Sequence, residues 1–109
     1  MHELTNEFDM SVVRAGGDAP VVVELHGEFD LHAAKIVGDR VDELLASGVP
    51  TLHVACAGVS FVDSAGLHAL LRMSHTARRQ GVDFAVVSMS GCLRQLLAIT
   101  ATADLLPSG

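Results

Sequence analysis

The segment Asp63–Leu67 is the part of this 109-residue chain whose residue types and spacing best fit a chemical role. It separates an apolar stretch from a helical pattern, which puts the Ser64 hydroxyl at a helix N-terminus beside the Asp63 carboxylate. The first turn of a helix has unpaired backbone N–H groups and a partial positive charge, and both stabilise a phosphate. Gly66 lacks a Cβ and is expected to leave room for the close approach of another protein or a phosphate. The pattern therefore favours a phosphate-accepting serine.

The same pattern also fits a purely structural role, and the residues alone leave both interpretations open. An aspartate or serine before an apolar helix is most often only an N-cap, worth about 1 kcal/mol. Under the phosphate hypothesis, modification of Ser64 would add roughly −1.5 to −2 charges beside Asp63. A partner fitted to the neutral hydroxyl would then meet a desolvated charge, a mismatch that costs several kcal/mol. The hypothesis predicts a switch that changes partner binding and leaves the fold intact.

Hydrophobic periodicity predicts the elements that position this segment. Turn residues at 16–18 join the first two strands, a loop at 27–30 leads to Asp30 as a helix cap, and Gly58 breaks the third strand. Ser90 caps the last helix. The predicted elements are, in chain order, strands at 8–13 and 21–25, a helix at 31–47, a strand at 51–57, a helix at 64–80, a strand at 82–88 and a short helix at 90–99.

The order of these elements predicts an α/β fold. Strand–helix–strand connections require parallel neighbours and are right-handed, so one small mixed sheet of about four to five strands should carry the helices. A single domain is expected over 1–109, with its core at about 8–106, and Leu105 and Leu106 are expected to dock a last turn. Gly38, inside the first helix, costs about 1 kcal/mol relative to alanine.

Composition excludes several classes of partner. The net charge of −6 and pI of about 5.3 argue against a nucleic-acid partner and against an anionic membrane surface. No apolar run reaches the ~18 residues of a membrane span, and the polar start at 1–7 does not resemble a signal peptide. Cys56 and Cys92 lie in apolar stretches and are interpreted as buried, reduced side chains. A cytoplasmic protein without membrane insertion is expected.

The histidines do not predict a metal site. His68 and His75 share one helix face but are two turns apart, unlike the i, i+4 pair of a helical zinc site. With Arg72 and Arg79 they form the polar face of the second helix, which begins next to Ser64. His68 and Arg72 are therefore candidates for partner contact, although a merely solvated face is the more frequent case. No metal and no cofactor is predicted.

A small serine hydrolase is a remote alternative. The nucleophile elbow of such enzymes reads Gly-x-Ser-x-Gly. Gly66 is in place, but Val62 occupies the first glycine position, and a domain of this size leaves little room for a triad and a pocket. No catalytic residue is predicted. Ser60 is a weaker second candidate for phosphorylation.

The motifs resemble those of a known family. Phe61–Leu67, which reads Phe-Val-Asp-Ser-Ala-Gly-Leu, resembles the signature of STAS domains, the bacterial anti-sigma factor antagonists and related domains of sulfate transporters. Gly27–Leu31 resembles the second motif of the family, and Leu93–Thr100 also matches. The resemblance covers about 8–106, and two motifs at matching separation make it specific.

The resemblance implies a regulatory function without enzymatic activity. Ser64 matches the serine that a partner anti-sigma factor, a kinase, phosphorylates with ATP. Asp30 matches an acidic residue on the partner-facing surface, and Asp63, Gly66 and Leu67 match the signature around the serine. The unphosphorylated family member binds the anti-sigma factor and so frees a sigma factor; phosphorylation releases it, and a phosphatase resets it.

Two departures and one alternative accompany the resemblance. Ala65 stands where many members have Ser or Thr, and Ala101 stands where members often have Gly. The first removes a possible second acceptor and leaves Ser64. Some family members are subunits of membrane transport complexes, so a module that binds a cytoplasmic ATPase without phosphorylation is the main alternative.

Overall fold

The computed structural model describes residues 8–14, 16 and 19–100. The elements follow one another in the predicted order: β1 (Phe8–Arg14), β2 (Val21–Phe29), α1 (Leu31–Ala46), β3 (Thr51–Val62), α2 (Ser64–Arg79), β4 (Asp83–Val87) and α3 (Gly91–Thr100). The predicted turn residues 17 and 18 and the predicted last turn at Leu105 and Leu106 lie outside the described residues.

The four described strands form one mixed sheet, which confirms the predicted fold class. Their order is β1-β2-β3-β4, with β1 antiparallel to β2 and the other pairs parallel. The antiparallel pair is the predicted hairpin, and α1 and α2 are the connections that parallel neighbours require. The apolar density of β2 agrees with its place between two other strands.

One face of the sheet carries the core. Buried strand residues alternate with more exposed ones, and the register aligns them in rows that run across the sheet, namely Val21–Leu52–Phe84 and Val23–Val54–Val86. The helices cover these rows with their apolar stripes, which include Val37, Val41 and Leu44 of α1 and Leu70 and Ala77 of α2. Each fully buried Val or Leu contributes roughly 1.5–3 kcal/mol to stability. The stripes read from the sequence therefore face the sheet.

Two predicted strand ends were wrong. β2 continues through Gly27 to Phe29, where a loop was predicted, and β3 runs through Gly58 to Val62. The parallel pairing is irregular here, with shifts of register on either side of Gly27, whose φ is +100°. A Cβ on Gly58 would overlap the imidazole ring of His26. Gly27 therefore provides a backbone conformation that other residues rarely adopt, and Gly58 relieves a close contact with His26. Neither glycine ends its strand.

Glycines in the left-handed backbone conformation follow α1 and α2. Gly48 follows the end of α1 with a φ of +88°, and Gly81 follows the end of α2 with a φ of +74°. Behind α2, the Val82 N–H donates to the Ala77 carbonyl at 2.9 Å, a hydrogen bond that closes the helix. Both helices therefore end at defined residues.

Candidate functional site

The carboxyl ends of β2 and β3 bring two helix N-termini together. Phe29 and Val62 are partners in the parallel register, and each is the last residue of its strand. Neighbouring strands lie about 4.8 Å apart, so Asp30 and Asp63, the next residues along the chain, emerge side by side. Ligands of open α/β sheets bind at this edge. Asp30 and Asp63 are therefore neighbours at this edge of the sheet.

Both aspartates are helix N-caps. The Asp30 carboxylate accepts a hydrogen bond from the Ala33 N–H at 3.0 Å, and the Asp63 carboxylate accepts one from the Gly66 N–H at 2.9 Å. Each cap has the extended backbone typical of an N-cap and is half-buried. Two negative groups thus already occupy this edge, and each is stabilised by the N-terminus of its own helix.

Ser64 is the first residue of α2, and its side chain is exposed. Because Asp63 caps the helix, the Ser64 hydroxyl is not needed as the N-cap. It has no hydrogen-bond partner within the described residues. The hydroxyl is therefore accessible to an enzyme that transfers a phosphoryl group. A phosphate there would stand at a helix N-terminus yet beside two carboxylates, so the helix would tolerate it while the surface became strongly anionic.

Gly66 has a different role from the one expected from the sequence. It is buried, and a Cβ there would overlap the Phe29 carbonyl oxygen and crowd its ring and the Val62 methyl group. The glycine is required because α2 passes close to the end of β2, and it does not open space for an approaching partner. Leu67 is only 6% exposed. Both residues shape the corner from beneath, so any contribution to partner binding is indirect.

Two exposed apolar side chains flank the corner, and the sequence analysis missed both. Leu31, directly after Asp30, is 71% exposed, and Phe61 is 49% exposed. Phe61 pairs with Glu28 and lies between two buried residues of β3, Val59 and Val62. One available signal was that two adjacent strand residues, such as Phe61 and Val62, cannot both face the core. Exposed apolar residues beside a modifiable serine are typical of a protein-binding surface.

A groove of about 310 Å³ runs between α1 and α2 below this corner. Leu31 and Lys35 line it from α1, and Arg72 and Met73 line it from α2. Of the two helix residues predicted to contact a partner, Arg72 therefore borders the groove, and His68 is exposed nearer to Ser64. Their role in partner binding stays a prediction.

The two cysteines are free thiols in different settings. Cys56 is fully buried in β3, and this burial, with a smaller effect of nearby Cys92, raises its pKa from 9.0 to about 12. Cys92 is only half-buried, and its thiol donates to the Val59 carbonyl at 3.3 Å. The predicted burial of the cysteines thus holds fully for Cys56 and in part for Cys92.

The described residues contain neither a cluster of metal ligands nor a helix able to span a membrane. Within 8–14, 16 and 19–100, no three His, Cys, Asp or Glu side chains lie close enough together to hold a metal ion. Over the same residues, no helix combines the length and apolarity that crossing a membrane requires. The predictions about metals, cofactors and hydrolase activity stay predictions.

Comparison with known proteins agrees with the geometry. Residues 12–107 match the family model described as Mlab, STAS domain. The anti-sigma-B factor antagonist of Bacillus subtilis strain 168 is 26% identical over 86 residues, 79% of this chain and 78% of the relative.

Solved structures share the fold. An anti-sigma factor antagonist from Mycobacterium paratuberculosis superimposes with a TM-score of 0.81 at 22% identity, covering 95% of this chain and 86% of that one. The Bacillus cell fate determinant SpoIIAA matches in its unphosphorylated and phosphorylated forms, both 18% identical, with TM-scores of 0.75 and 0.71. The matches cover 93% of this chain and 88% and 91% of those chains. The curated relative and the Mycobacterium and SpoIIAA proteins are anti-sigma factor antagonists. The chain itself belongs to the STAS domain family.

Proposed function

We propose that this protein binds an anti-sigma factor while Ser64 is unmodified and is released from it when Ser64 is phosphorylated. The observation that carries the proposal is the Phe29–Val62 register, which sets two capped helix N-termini side by side. The Ser64 hydroxyl is exposed to solvent at the start of the second of these helices. The family, and a relative known in both phosphorylated and unphosphorylated forms, support it.

The proposed switch acts through the charge on Ser64 at an interface from which the partner excludes water. Unmodified, the corner offers the apolar side chains of Leu31 and Phe61 around a small neutral hydroxyl. A partner that covers this area excludes water from it. A phosphate on Ser64 would then be buried beside the Asp30 and Asp63 carboxylates without a compensating cation, and truncated or mismatched charges at interfaces cost about 2–5 kcal/mol. Each 1.4 kcal/mol is about tenfold in affinity, so phosphorylation would weaken the complex by roughly 30- to 4,000-fold.

The kinase is the anti-sigma factor itself, and ATP is the phosphoryl donor. The Ser64 oxygen attacks the γ-phosphorus, the bond from that phosphorus to the bridging oxygen breaks, ADP leaves, and the hydroxyl proton passes to a base of the kinase. A separate phosphatase restores the hydroxyl. In this scheme the protein is a substrate and a ligand, not an enzyme, and it acts in the cytoplasm without binding nucleic acid.

The proposal is tested by incubating the purified chain with each histidine-kinase-like ATPase of its own organism and ATP, followed by phosphosite mapping by mass spectrometry. We expect phosphate on Ser64, none in Ser64→Ala, and unchanged phosphorylation in Ser60→Ala, because Ser60 is an exposed neighbour outside the helix N-terminus. Stable binding of a transport ATPase without phosphate transfer would instead support the role of a transport-complex subunit. Absence of both binding and phosphate transfer would overturn the proposal.

A further inference from the structure

The groove between α1 and α2 contains an unexplained glycine. Gly38 lies in the interior of α1, where glycine is less favourable than alanine, and it borders the groove. A Cβ at Gly38 would meet no neighbouring atom within 4 Å, in contrast to Gly66, whose missing Cβ is required by the packing of α2. No contact within the described residues therefore requires a glycine here. Its effect is to keep the groove deep.

The floor of the groove is made of small or apolar side chains and its walls of charged ones. Ala34, Gly38, Ala69 and Met73 line the floor region, and Met73 is only 4% exposed. Charged side chains border them, Lys35, Asp39 and Asp42 from α1 and Arg72 from α2. Among the described residues, none of these four makes a salt bridge. An apolar floor between unpaired charges is suited to one face of an amphipathic helix.

The charges are ordered along the groove. α1 and α2 run in the same direction, because both begin at the carboxyl edge of parallel strands. At 1.5 Å per residue, Lys35 lies about 6 Å below the start of α1, Asp39 and Arg72 lie about 12 Å below the starts of their helices, and Asp42 about 16 Å. The end nearest to Ser64 therefore carries Leu31 and the basic Lys35, the middle carries Asp39 level with Arg72, and the far end carries the acidic Asp42.

From this order we infer that the groove binds an amphipathic helix of the anti-sigma factor, with acidic residues at its end near Ser64 and basic residues at its other end. The inference rests on the proposed function and extends it to a second surface. Lys35 is about one helical turn from the N-terminus of α1, which adjoins the N-terminus of α2 at Ser64, so a partner carboxylate paired with Lys35 would come near a phosphate on Ser64. The phosphate would repel that carboxylate, so the groove contributes affinity only in the unmodified state.

The inference is tested with the ATPase that phosphorylates Ser64, by calorimetric titration of the unphosphorylated chain and its variants. Gly38→Leu places an isobutyl group in the groove, and we expect at least a tenfold loss of affinity. The matched control is Ala46→Leu, which adds apolar volume to the same helix at an exposed site outside the groove, and it should bind within twofold of the parent. Thermal unfolding verifies that both variants fold, and Gly38→Ala serves as a smaller filling if the leucine variant does not.

Carbodiimide crosslinking supplies a second measurement, since Lys35 is the single lysine of the chain. In the complex, we expect an amide bond between Lys35 and an aspartate or glutamate of the partner, located by mass spectrometry on a helix, and no such product with Ser64-phosphorylated protein. Parent-like affinity of folded Gly38→Leu, or of folded Gly38→Ala if the leucine variant does not fold, would overturn the groove inference alone, as would absence of the Lys35 crosslink. If the unmodified parent bound no such ATPase, the proposed function would fail, and the groove inference with it.

Discussion

At the scale of single residues, the proposed switch depends on the charge at Ser64. Ser64→Asp places one negative charge at the N-terminus of α2, where the helix itself tolerates it. We expect affinity for the anti-sigma factor to fall by about tenfold or more, with unchanged thermal stability. Isothermal titration at two salt concentrations measures the effect, and the loss should shrink at higher salt as the charge is screened.

The control for net charge is Gln80→Glu, a nearly isosteric change at the exposed C-cap of α2. It adds the same charge at the opposite end of the helix, about 24 Å from Ser64 at 1.5 Å per residue, and should leave affinity within about twofold of the parent, as expected for exposed surface charges. Equal losses in both variants would mean that total charge, and not the site of the charge, governs binding.

At the scale of the elements, two helical glycines have opposite expected effects. Gly38→Ala removes a flexible residue from α1 and meets no neighbour, so the free energy of unfolding should rise by about 0.5–1 kcal/mol. Gly66→Ala in α2 drives a methyl group into the Phe29 carbonyl, so the free energy of unfolding should fall by about 1–3 kcal/mol. Urea denaturation of the three proteins at equal pH measures both changes. Changes of the same sign would show that the helices pack differently from the arrangement described above.

The caps of α1 and α2 give a second prediction at this scale. Asp63→Ala removes the acceptor of the Gly66 N–H, and Asp30→Ala removes that of the Ala33 N–H. Each change should lower the free energy of unfolding by about 1 kcal/mol, whereas Asp63→Asn, which keeps an acceptor, should cost less. If Asp63→Ala unfolded at the same urea concentration as the parent, the carboxylate would be free for a role in partner binding beyond capping.

How much of the structure could be predicted from sequence depended on whether the signal was local. Helix stripes and caps are local, and Asp30, Asp63 and Ser64 were placed correctly at the helix starts. Gly27 and Gly58 carry local turn signals, but the continuation of their strands depends on pairing with a distant segment. The strand prediction failed there because cross-strand hydrogen bonds outweighed local propensity.

The candidate site shows the same difference between local signals and signals that depend on distant segments. The serine and its two aspartates were recognisable from motif and spacing, whereas the purpose of Gly66 depended on its distance from Phe29, more than thirty positions earlier in the chain. Exposure of Leu31 and the groove it borders follow from how two helices pack, which periodicity does not specify. The residues of the corner were therefore predictable and its shape was not.

At the scale of the whole molecule, the helices cover one face of the sheet, and Cys56 lies beneath them at the centre of that layer. Its pKa of about 12 in the folded protein, against 9.0 for an exposed thiol, makes global stability depend on alkaline pH. Between these values the folded protein keeps the proton and the unfolded chain releases it. Unfolding therefore releases a proton, and rising pH favours the unfolded state.

The expected slope follows from this linkage. Below about pH 9 the stabilisation is fully present, and between about pH 9 and 12 the free energy of unfolding should fall by roughly 1.4 kcal/mol per pH unit because of this thiol. The background is low, because the chain has no tyrosine and a single lysine. Urea denaturation at pH 8, 9.5, 10.5 and 11 measures the slope under reducing conditions.

Cys56→Ala separates this effect from general alkaline denaturation. The variant should be less stable than the parent at pH 8, because it leaves a cavity beneath the helices, but its stability should vary much less with pH. Cys92→Ala should retain most of the slope, since burial is the larger cause of the raised pKa and the neighbouring thiol the smaller one. A parent-like slope in Cys56→Ala would mean that other groups cause the alkaline loss, and a flat slope in the parent would mean that the centre of the helix layer is hydrated.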